Sequence, residues 1–173
     1  MSDAGGGLSG GTEVRGKVAP PQAEVTWKND DPNKPDPRKE DLTPTAQKTM
    51  EEMKTEVPKL ESVNTNSGRR PYDPAKPNDP HAQGRAVDIN NINGVRVKDL
   101  QNGTGEKAEQ ARGAAANLED WAKKNPDVTQ VIGPTGRWER NGDGDMDKRV
   151  PVEPKDYKIL EEHKNHYHIT IHR

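Results

Sequence analysis

The last eleven residues, HKNHYHITIHR, constrain the fold more than any other part of the sequence. Apolar and polar residues alternate there, which is the pattern of a β-strand with one buried face. The apolar positions are Tyr167, Ile169 and Ile171, and the polar positions between and beside them are His166, His168, Thr170 and His172. The segment therefore predicts a strand that points its apolar residues into a core and its imidazoles away from it.

A second segment, Arg85–Asn90, shows the same alternation. Val87 and Ile89 would face the core, and Asp88 would point to the opposite side. His81 lies seven residues before Asp88, and the intervening Gly84 lets a loop fold back without a strained backbone. We therefore expect His81 and Asp88 to converge with an imidazole of the last strand, in a set that could hold a metal.

The composition limits how much of the chain can form a core. Only 27% of the residues are hydrophobic, there is no Phe, and the mean hydropathy is -1.23. Residues 1–20 are rich in Gly and Ser, and residues 28–41 mix Pro with charge, a composition that disfavours packing. The sequence thus predicts a flexible N-terminal arm over residues 1–41 and a folded domain over residues 42–173. A short strand in AEVTW, with Val25 and Trp27 on one face, could attach the arm to the domain.

Helix signals are clear at three places in the predicted domain. Thr43 followed by Pro44 is a cap-and-start signature, and apolar residues then recur at helical spacing to residue 57. An Ala-rich stripe predicts a helix over 105–124, and a third short helix is expected from Pro154 to about His163. Strands are predicted around residues 61–66, 85–90, 129–132 and 166–172. This mixture favours an α+β fold in which helices flank a small antiparallel sheet.

Charge and cysteine content exclude several classes of site. Lys and Arg number 27 against 29 Asp and Glu, a net charge of -2 with no basic block, so no nucleic-acid partner is expected. The chain has no Cys, so any metal must be held by His and carboxylates. The N-terminal sequence MSDAGGGLSGGTEV has no apolar run and predicts neither a signal peptide nor a membrane anchor.

The stretch from Ser67 to Asn90, SGRRPYDPAKPNDPHAQGRAVDIN, resembles the signature of D-Ala-D-Ala carboxypeptidase and endopeptidase metallopeptidases. That family shares its fold with lysostaphin-type enzymes and the Hedgehog signalling domain. Its pattern is a Ser-Gly-x-Arg element, then HxxGxAxDI, then a late HxH, and all three occur here in that order. The resemblance covers about residues 43–173 and implies a Hedgehog-like or DD-peptidase-like fold.

The resemblance also implies the roles of individual residues. His81, Asp88 and His168 match the three zinc ligands, which would leave one coordination position open for water. Arg70 matches an arginine near the substrate or the developing oxyanion, with Arg69 as the competing choice.

The catalytic base is the point where the sequence departs from many relatives, because Asn165 stands where a carboxylate is common. The spacing His163-x-x-His166-x-His168 is closest to penicillin-insensitive murein endopeptidase. It implies that a histidine that does not bind the metal polarises the water or stabilises the intermediate, with His166 the first choice and His163 the second.

Three acidic features leave alternatives open. Asp79 could orient His81 or simply be solvated in its loop. Glu161 and Glu162 could supply a carboxylate base, although a solvated helix end is the simpler interpretation. The segment NGDGDMD at 141–147 alternates carboxylates like a calcium loop, but Met146 and Val152 stand where the EF-hand pattern needs Gly and Glu, so an acidic hairpin loop is expected.

The function implied is a zinc-dependent peptidase that hydrolyses stem or cross-bridge peptide bonds of peptidoglycan. Without a signal peptide, we expect synthesis in the cytoplasm and action in the periplasm or cell wall, after delivery by a secretion system or during phage lysis. A secreted toxin would have an immunity protein as a partner. The alternatives are a metal-dependent nuclease toxin and a zinc domain that binds the cell wall without cutting it.

Overall fold

The computed structural model describes residues 21–173. Its helices are α1 (Pro44–Glu56), α2 (Glu106–Lys124) and α3 (Pro154–Glu162), with short 3-10 turns at Lys39–Asp41 and Val97–Asp99. Its strands are β1 (Glu24–Trp27), β2 (Ser62–Ser67), β3 (Ala86–Ile92), β4 (Val95–Arg96), β5 (Val128–Gly133), β6 (Gly136–Arg140), β7 (Met146–Lys148) and β8 (Tyr167–Ile171). The fold is a mixed α+β arrangement around one open sheet.

The sheet has the strand order β1-β2-β3-β8-β5-β6-β7, and β4 pairs with β3 beside this path. The C-terminal strand β8 lies between β3 and β5 and is antiparallel to both. The prediction of a small antiparallel sheet is wrong in two respects. In the described residues the sheet has eight strands, and β1 pairs with β2 in parallel.

The two long helices begin and end where local sequence signals place them. The Thr43 side chain accepts a hydrogen bond from the backbone N–H of Ala46, and Pro44 occupies the first turn of α1. Helix α2 ends at Lys124, and its C-cap Asn125 comes directly before Pro126, because a proline cannot continue the helical hydrogen-bond pattern. Within the described part of the chain, no helix combines the length and the apolar character needed to cross a membrane.

The core lies on one face of the sheet. Alternate residues of β3 and β8 point into it, as predicted, and α1 and α2 pack against the same hydrophobic cluster. The alternate residues are Val87, Ile89, Tyr167, Ile169 and Ile171. The Ala-rich stripe of α2 brings that helix close to the sheet, since its alanines are buried. The polar residues between these core positions are therefore held on the other face.

The segment predicted as an arm contributes to the folded unit. Strand β1 pairs with β2, and Val25 and Trp27 are partly buried against the core. The preceding Ala23 is buried, and its N–H donates to the carbonyl of Lys54 in α1. The folded domain thus begins before residue 42, and residues 1–20 of the predicted arm lie outside the described residues.

Strands β6 and β7 were not predicted from the sequence. They carry mostly charged side chains, as in GRWER and MDK, so they lack the apolar alternation that marks a half-buried strand. The residues between them form the turn expected of an acidic hairpin loop. There the Asn141 side chain accepts hydrogen bonds from the N–H groups of Asp143 and Asp145.

Candidate metal centre and cleft

Two of the predicted ligands come from neighbouring strands. Asp88 of β3 lies directly opposite His168 of β8 in the antiparallel register. Both side chains lie on the sheet face that points away from α1 and α2, yet both residues are buried, with 5% and 7% of their surface exposed. The pairing brings a carboxylate and an imidazole together although the two residues are 80 positions apart.

The third ligand candidate, His81, comes from the loop before β3. Gly84 adopts a positive φ of 70°, and its N–H donates to the His81 carbonyl, so the chain turns sharply after the histidine. Asp79 accepts a hydrogen bond from the backbone N–H of His81 at 3.0 Å. Asp79 therefore helps to hold the loop that presents His81, through a bond to the backbone of that histidine.

The structure brings the three predicted ligands together into one buried cluster. The Oδ1 atom of Asp88 lies 3.0 Å from Nδ1 of His168 and 3.3 Å from Nε2 of His81. The two imidazole nitrogens are 3.3 Å apart. Among the residues that the structure describes, this group of His and carboxylate side chains is the one placed to hold a metal ion.

Hydrogen bonds outside the cluster orient the two imidazoles. Nδ1 of His81 lies 2.7 Å from the carbonyl oxygen of Gly68, which can only accept. Nδ1 therefore carries the proton, and Nε2 presents a lone pair to the cluster. Nε2 of His168 lies 2.8 Å from the hydroxyl of Thr170, so Nδ1 is the nitrogen that faces Asp88 and His81.

Arg70 anchors the second oxygen of the Asp88 carboxylate. Its guanidinium donates to Oδ2 of Asp88 at 3.0 Å and to Oγ of Ser67 at 3.1 Å. Burial alone would raise the pKa of Asp88, but its contacts with the His168 and His81 side chains hold it well below its usual value. Asp88 is thus ionised, and its Oδ1 is directed at the cluster.

His166 lies at the edge of the cluster, with Nε2 at 3.7 Å from Oδ1 of Asp88. Its Nδ1 lies 2.6 Å from the side-chain oxygen of Asn165, which accepts the ring proton. Asn165 therefore orients His166, a role that the sequence analysis did not assign to it. Burial lowers the pKa of His166 to about 4, so this imidazole is neutral at neutral pH.

His163 approaches the cluster from the end of α3. Its ring centroid lies 4.8 Å from that of His166 and 5.6 Å from that of His168. Its Nδ1 donates to the carbonyl of Ile159 at 2.6 Å. Of the two acidic residues before it, Glu162 lines the cleft described below, and Glu161 is exposed and paired with Lys164.

A cleft of about 580 Å³ opens onto the cluster. The predicted residues Arg70, His81, Asp88, His163, His166 and His168 all line it. Four further side chains that line it, Lys76, Gln130, Ile132 and Arg137, were given no individual role in the sequence analysis. Gln130 and Ile132 could have been found only with the register that pairs β5 with β8.

Some candidate residues stay outside the cleft. Arg69, the competing choice for the arginine role, is exposed and does not line it. His172 follows β8 and pairs with Asp127 at 2.8 Å rather than joining the other imidazoles. Within residues 21–173, the acidic loop at 141–147 is not among the side-chain groups arranged to hold a metal.

Comparisons of the chain with protein-family models, with curated proteins and with solved structures find no match.

Proposed function

We propose that the protein is a zinc-dependent peptidase that hydrolyses peptide bonds of peptidoglycan. The observation that carries the metal assignment is the spacing of the three candidate ligand atoms, which are 3.0–3.3 Å apart. Tetrahedral zinc, with bonds of about 2.0–2.1 Å to nitrogen and oxygen, separates its ligands by about 3.3 Å. Two imidazoles and one carboxylate form a three-ligand set, and three protein ligands are typical of catalytic zinc sites with an open position.

The position and shape of the cleft support catalysis rather than a closed structural site. The cluster lies at the wall of an open cleft, so a substrate can reach the position that the three ligands leave free. A zinc ion held there would supply Lewis-acid activation of a water molecule and of the scissile carbonyl. The peptidoglycan substrate and the Hedgehog-like or DD-peptidase-like fold are inferred from the resemblance of HAQGRAVDI and the late HxH to the metallopeptidase pattern.

The residues around the three proposed ligands can supply the other functions that hydrolysis needs. His166 is neutral and points Nε2 towards the cluster, so it can accept a hydrogen bond from a water molecule there. Arg70 holds Oδ2 of Asp88 and keeps part of its guanidinium at the cleft, where it can stabilise negative charge on a substrate oxygen. His163 lies next to His166 and is the second imidazole that could interact with such a water molecule.

The test is digestion of purified sacculi by the zinc-loaded protein, followed by mass spectrometry of the released muropeptides. We expect new muropeptides with the wild-type protein and none after chelation or with His81→Ala. His172→Ala is the matched control, because it removes a histidine of a second His–Asp pair outside the cleft. We expect the control to digest sacculi like the wild-type protein.

Two results would count against the proposal in different ways. Undiminished digestion by His81→Ala would show that the cluster is not the active site. Tight zinc binding with no change in the muropeptides would favour the alternative of a domain that binds cell-wall material without cutting it.

A further inference from the structure

We infer that Thr170 and Gln130, with Glu139 behind them, are positioning residues that fix the ring of His168 so that Nδ1 is its metal-binding nitrogen. This inference rests on the proposed metal site. Thr170 is buried, and Gln130 lies opposite it in the register of β5 and β8. The three side chains form a hydrogen-bonded chain that leads from His168 on β8 across β5 to β6.

The chain ends at a group that can only accept hydrogen bonds. Oε1 of Glu139 receives N–H groups from Arg137, at 2.9 Å from Nε and 2.5 Å from Nη2, and the Nε of Arg149 lies 3.2 Å from its Oε2. Burial would raise the pKa of Glu139, but the hydrogen bonds from Arg137 and Gln130 outweigh it and lower the pKa. Glu139 is therefore an ionised acceptor whose position is fixed by two arginines.

An ionised acceptor at one end sets the direction of every hydrogen bond in the chain. The side-chain N–H of Gln130 donates to Glu139 at 2.9 Å, so the amide oxygen of Gln130 faces Thr170. The Thr170 hydroxyl lies 3.4 Å from that oxygen and donates its proton to it. The hydroxyl oxygen is then free to accept the Nε2 proton of His168 at 2.8 Å.

The consequence for His168 is a defined tautomer. A neutral imidazole carries one proton, so a proton on Nε2 leaves a lone pair on Nδ1, the atom that faces Asp88 and His81. Gly68 fixes the complementary tautomer of His81 through its carbonyl. With these tautomers, both rings would present lone pairs to one point when a metal is bound. Hydrogen-bond partners of this kind change metal affinity by about 10–100-fold.

The experiment compares zinc affinities by competition with a chromogenic chelator, using the full chain throughout. We expect Thr170→Val to weaken zinc binding by about 10–100-fold and Thr170→Ser to restore it, because serine keeps the hydroxyl. The matched control is Thr65→Val, which removes the hydroxyl of another buried threonine; within residues 21–173 that hydroxyl has no hydrogen-bond partner. We expect the control to bind zinc like the wild-type protein.

A spectroscopic measurement separates positioning from packing. Long-range ¹H–¹⁵N correlation spectra of the zinc-loaded protein report which ring nitrogen of His168 carries the proton. We expect a protonated Nε2 in the wild-type protein. A protonated Nδ1 would overturn the inference.

Two further results would also overturn it. One is a Thr170→Val protein that binds zinc as tightly as Thr65→Val, and the other is a Thr170→Ser protein as weak as Thr170→Val. If Thr170→Val does not fold, Gln130→Leu takes its place, and unchanged zinc affinity in that variant contradicts the inference.

These readouts do not depend on hydrolysis. Weakened zinc binding in Thr170→Val together with inactive wild-type protein would refute the proposed peptidase function and leave the positioning role intact. Unchanged zinc binding in Thr170→Val together with active wild-type protein would refute the positioning role and leave the proposed peptidase function intact. A wild-type protein that does not bind zinc would refute both.

Discussion

The two faces of the sheet are built from the same strands, but one is an apolar packing surface and the other carries a polar cluster. On one face, Ile89 and Ile169 pack with the helices in a continuous apolar cluster. On the other face, Asp88 and His168 alternate with them and meet as a pair of polar groups. Neighbouring residues on one strand therefore contribute either to the core or to the site.

The two faces should differ in how well they tolerate amino-acid substitutions. An apolar face is stabilised by buried area, which many combinations of side chains can supply. The polar face requires three atoms from β3, β8 and a loop to come within 3.3 Å of one another. We therefore expect substitutions on the core face to change stability, and substitutions on the polar face to change metal binding.

The largest effects should come from adjacent residues of β3. Asp88→Asn removes the ligand charge and should lower the proposed peptidase activity by about 10³-fold or more, since a metal supplies several kcal/mol of transition-state stabilisation. Ile89→Ala should lower the free energy of unfolding by about 2–5 kcal/mol and keep one zinc per chain. Muropeptide release, chemical denaturation and metal analysis measure these effects. An active Asp88→Asn protein, or an Ile89→Ala protein that does not bind zinc, would contradict the proposed difference between the two faces.

A smaller effect is expected at Gly84, in the loop that presents His81. Gly84→Ala places a side chain on a residue with φ of 70° and brings its Cβ within 2.9 Å of the Asp41 carbonyl oxygen. We expect a loss of about 1–2 kcal/mol or more in unfolding free energy, and weaker zinc binding because His81 shifts. Gly113→Ala is the matched control. It lies inside α2 with open space around its Cβ, and it should gain about 1 kcal/mol. Equal effects at both glycines would contradict this account of the loop.

The stability of the metal-free protein should depend on pH through titratable residues of the polar face. The pKa of His166 falls from 6.5 to about 4 on folding because the ring is buried, so the unfolded chain binds more protons between these values. Its stability contribution is complete above pH 6.5 and is lost as the pH falls towards 4. Asp88, whose usual pKa is 3.8, acts in the same direction only at lower pH.

We expect His166→Asn to flatten the pH dependence of unfolding free energy between pH 6.5 and 4, by less than about 1.4 kcal/mol per pH unit. Urea denaturation at a series of pH values, in the presence of a chelator, measures the slope. An unchanged slope in the variant would show that His166 is not shielded from solvent in the folded protein.

The smallest effect is expected at Thr65, on the core side of β2. Its hydroxyl is buried without a hydrogen-bond partner in the described part of the chain. Thr65→Val should therefore stabilise the protein by about 1 kcal/mol, as measured by denaturation. A loss of stability would reveal a partner for this hydroxyl.

The sequence predicts well those elements whose signals are local. Thr43 and Pro44 fix the start of α1 within one turn, and the alternation in β8 identifies its core residues. The cluster of His81, Asp88 and His168 was predicted from the alternation in β3 and β8 together with the resemblance to the metallopeptidase pattern. Strand β6 was missed because charged residues dominate it and Trp138 is its one large buried apolar side chain, so no apolar alternation marks it.

The parts of the site that escaped prediction depend on contacts between distant strands. Gln130 becomes a neighbour of Thr170 only through the register of β5 and β8, which contains a bulge after Val128. Asn165 was interpreted as a lost base because sequence spacing shows which group is missing and not which ring the amide contacts. Sequence spacing alone does not supply the register or the direction of these hydrogen bonds.

The way His81 reaches the cluster also has a mechanical consequence. The chain has no cysteine, so no disulfide links distant segments. A metal held by His81, Asp88 and His168 would tie the loop before β3 to two strands, and the residues it joins are up to 87 positions apart. Such a bond would act as a reversible cross-link. Removing the metal with a chelator would first free the loop that ends at Gly84. The supply of metal would therefore control how rigid the mouth of the cleft is.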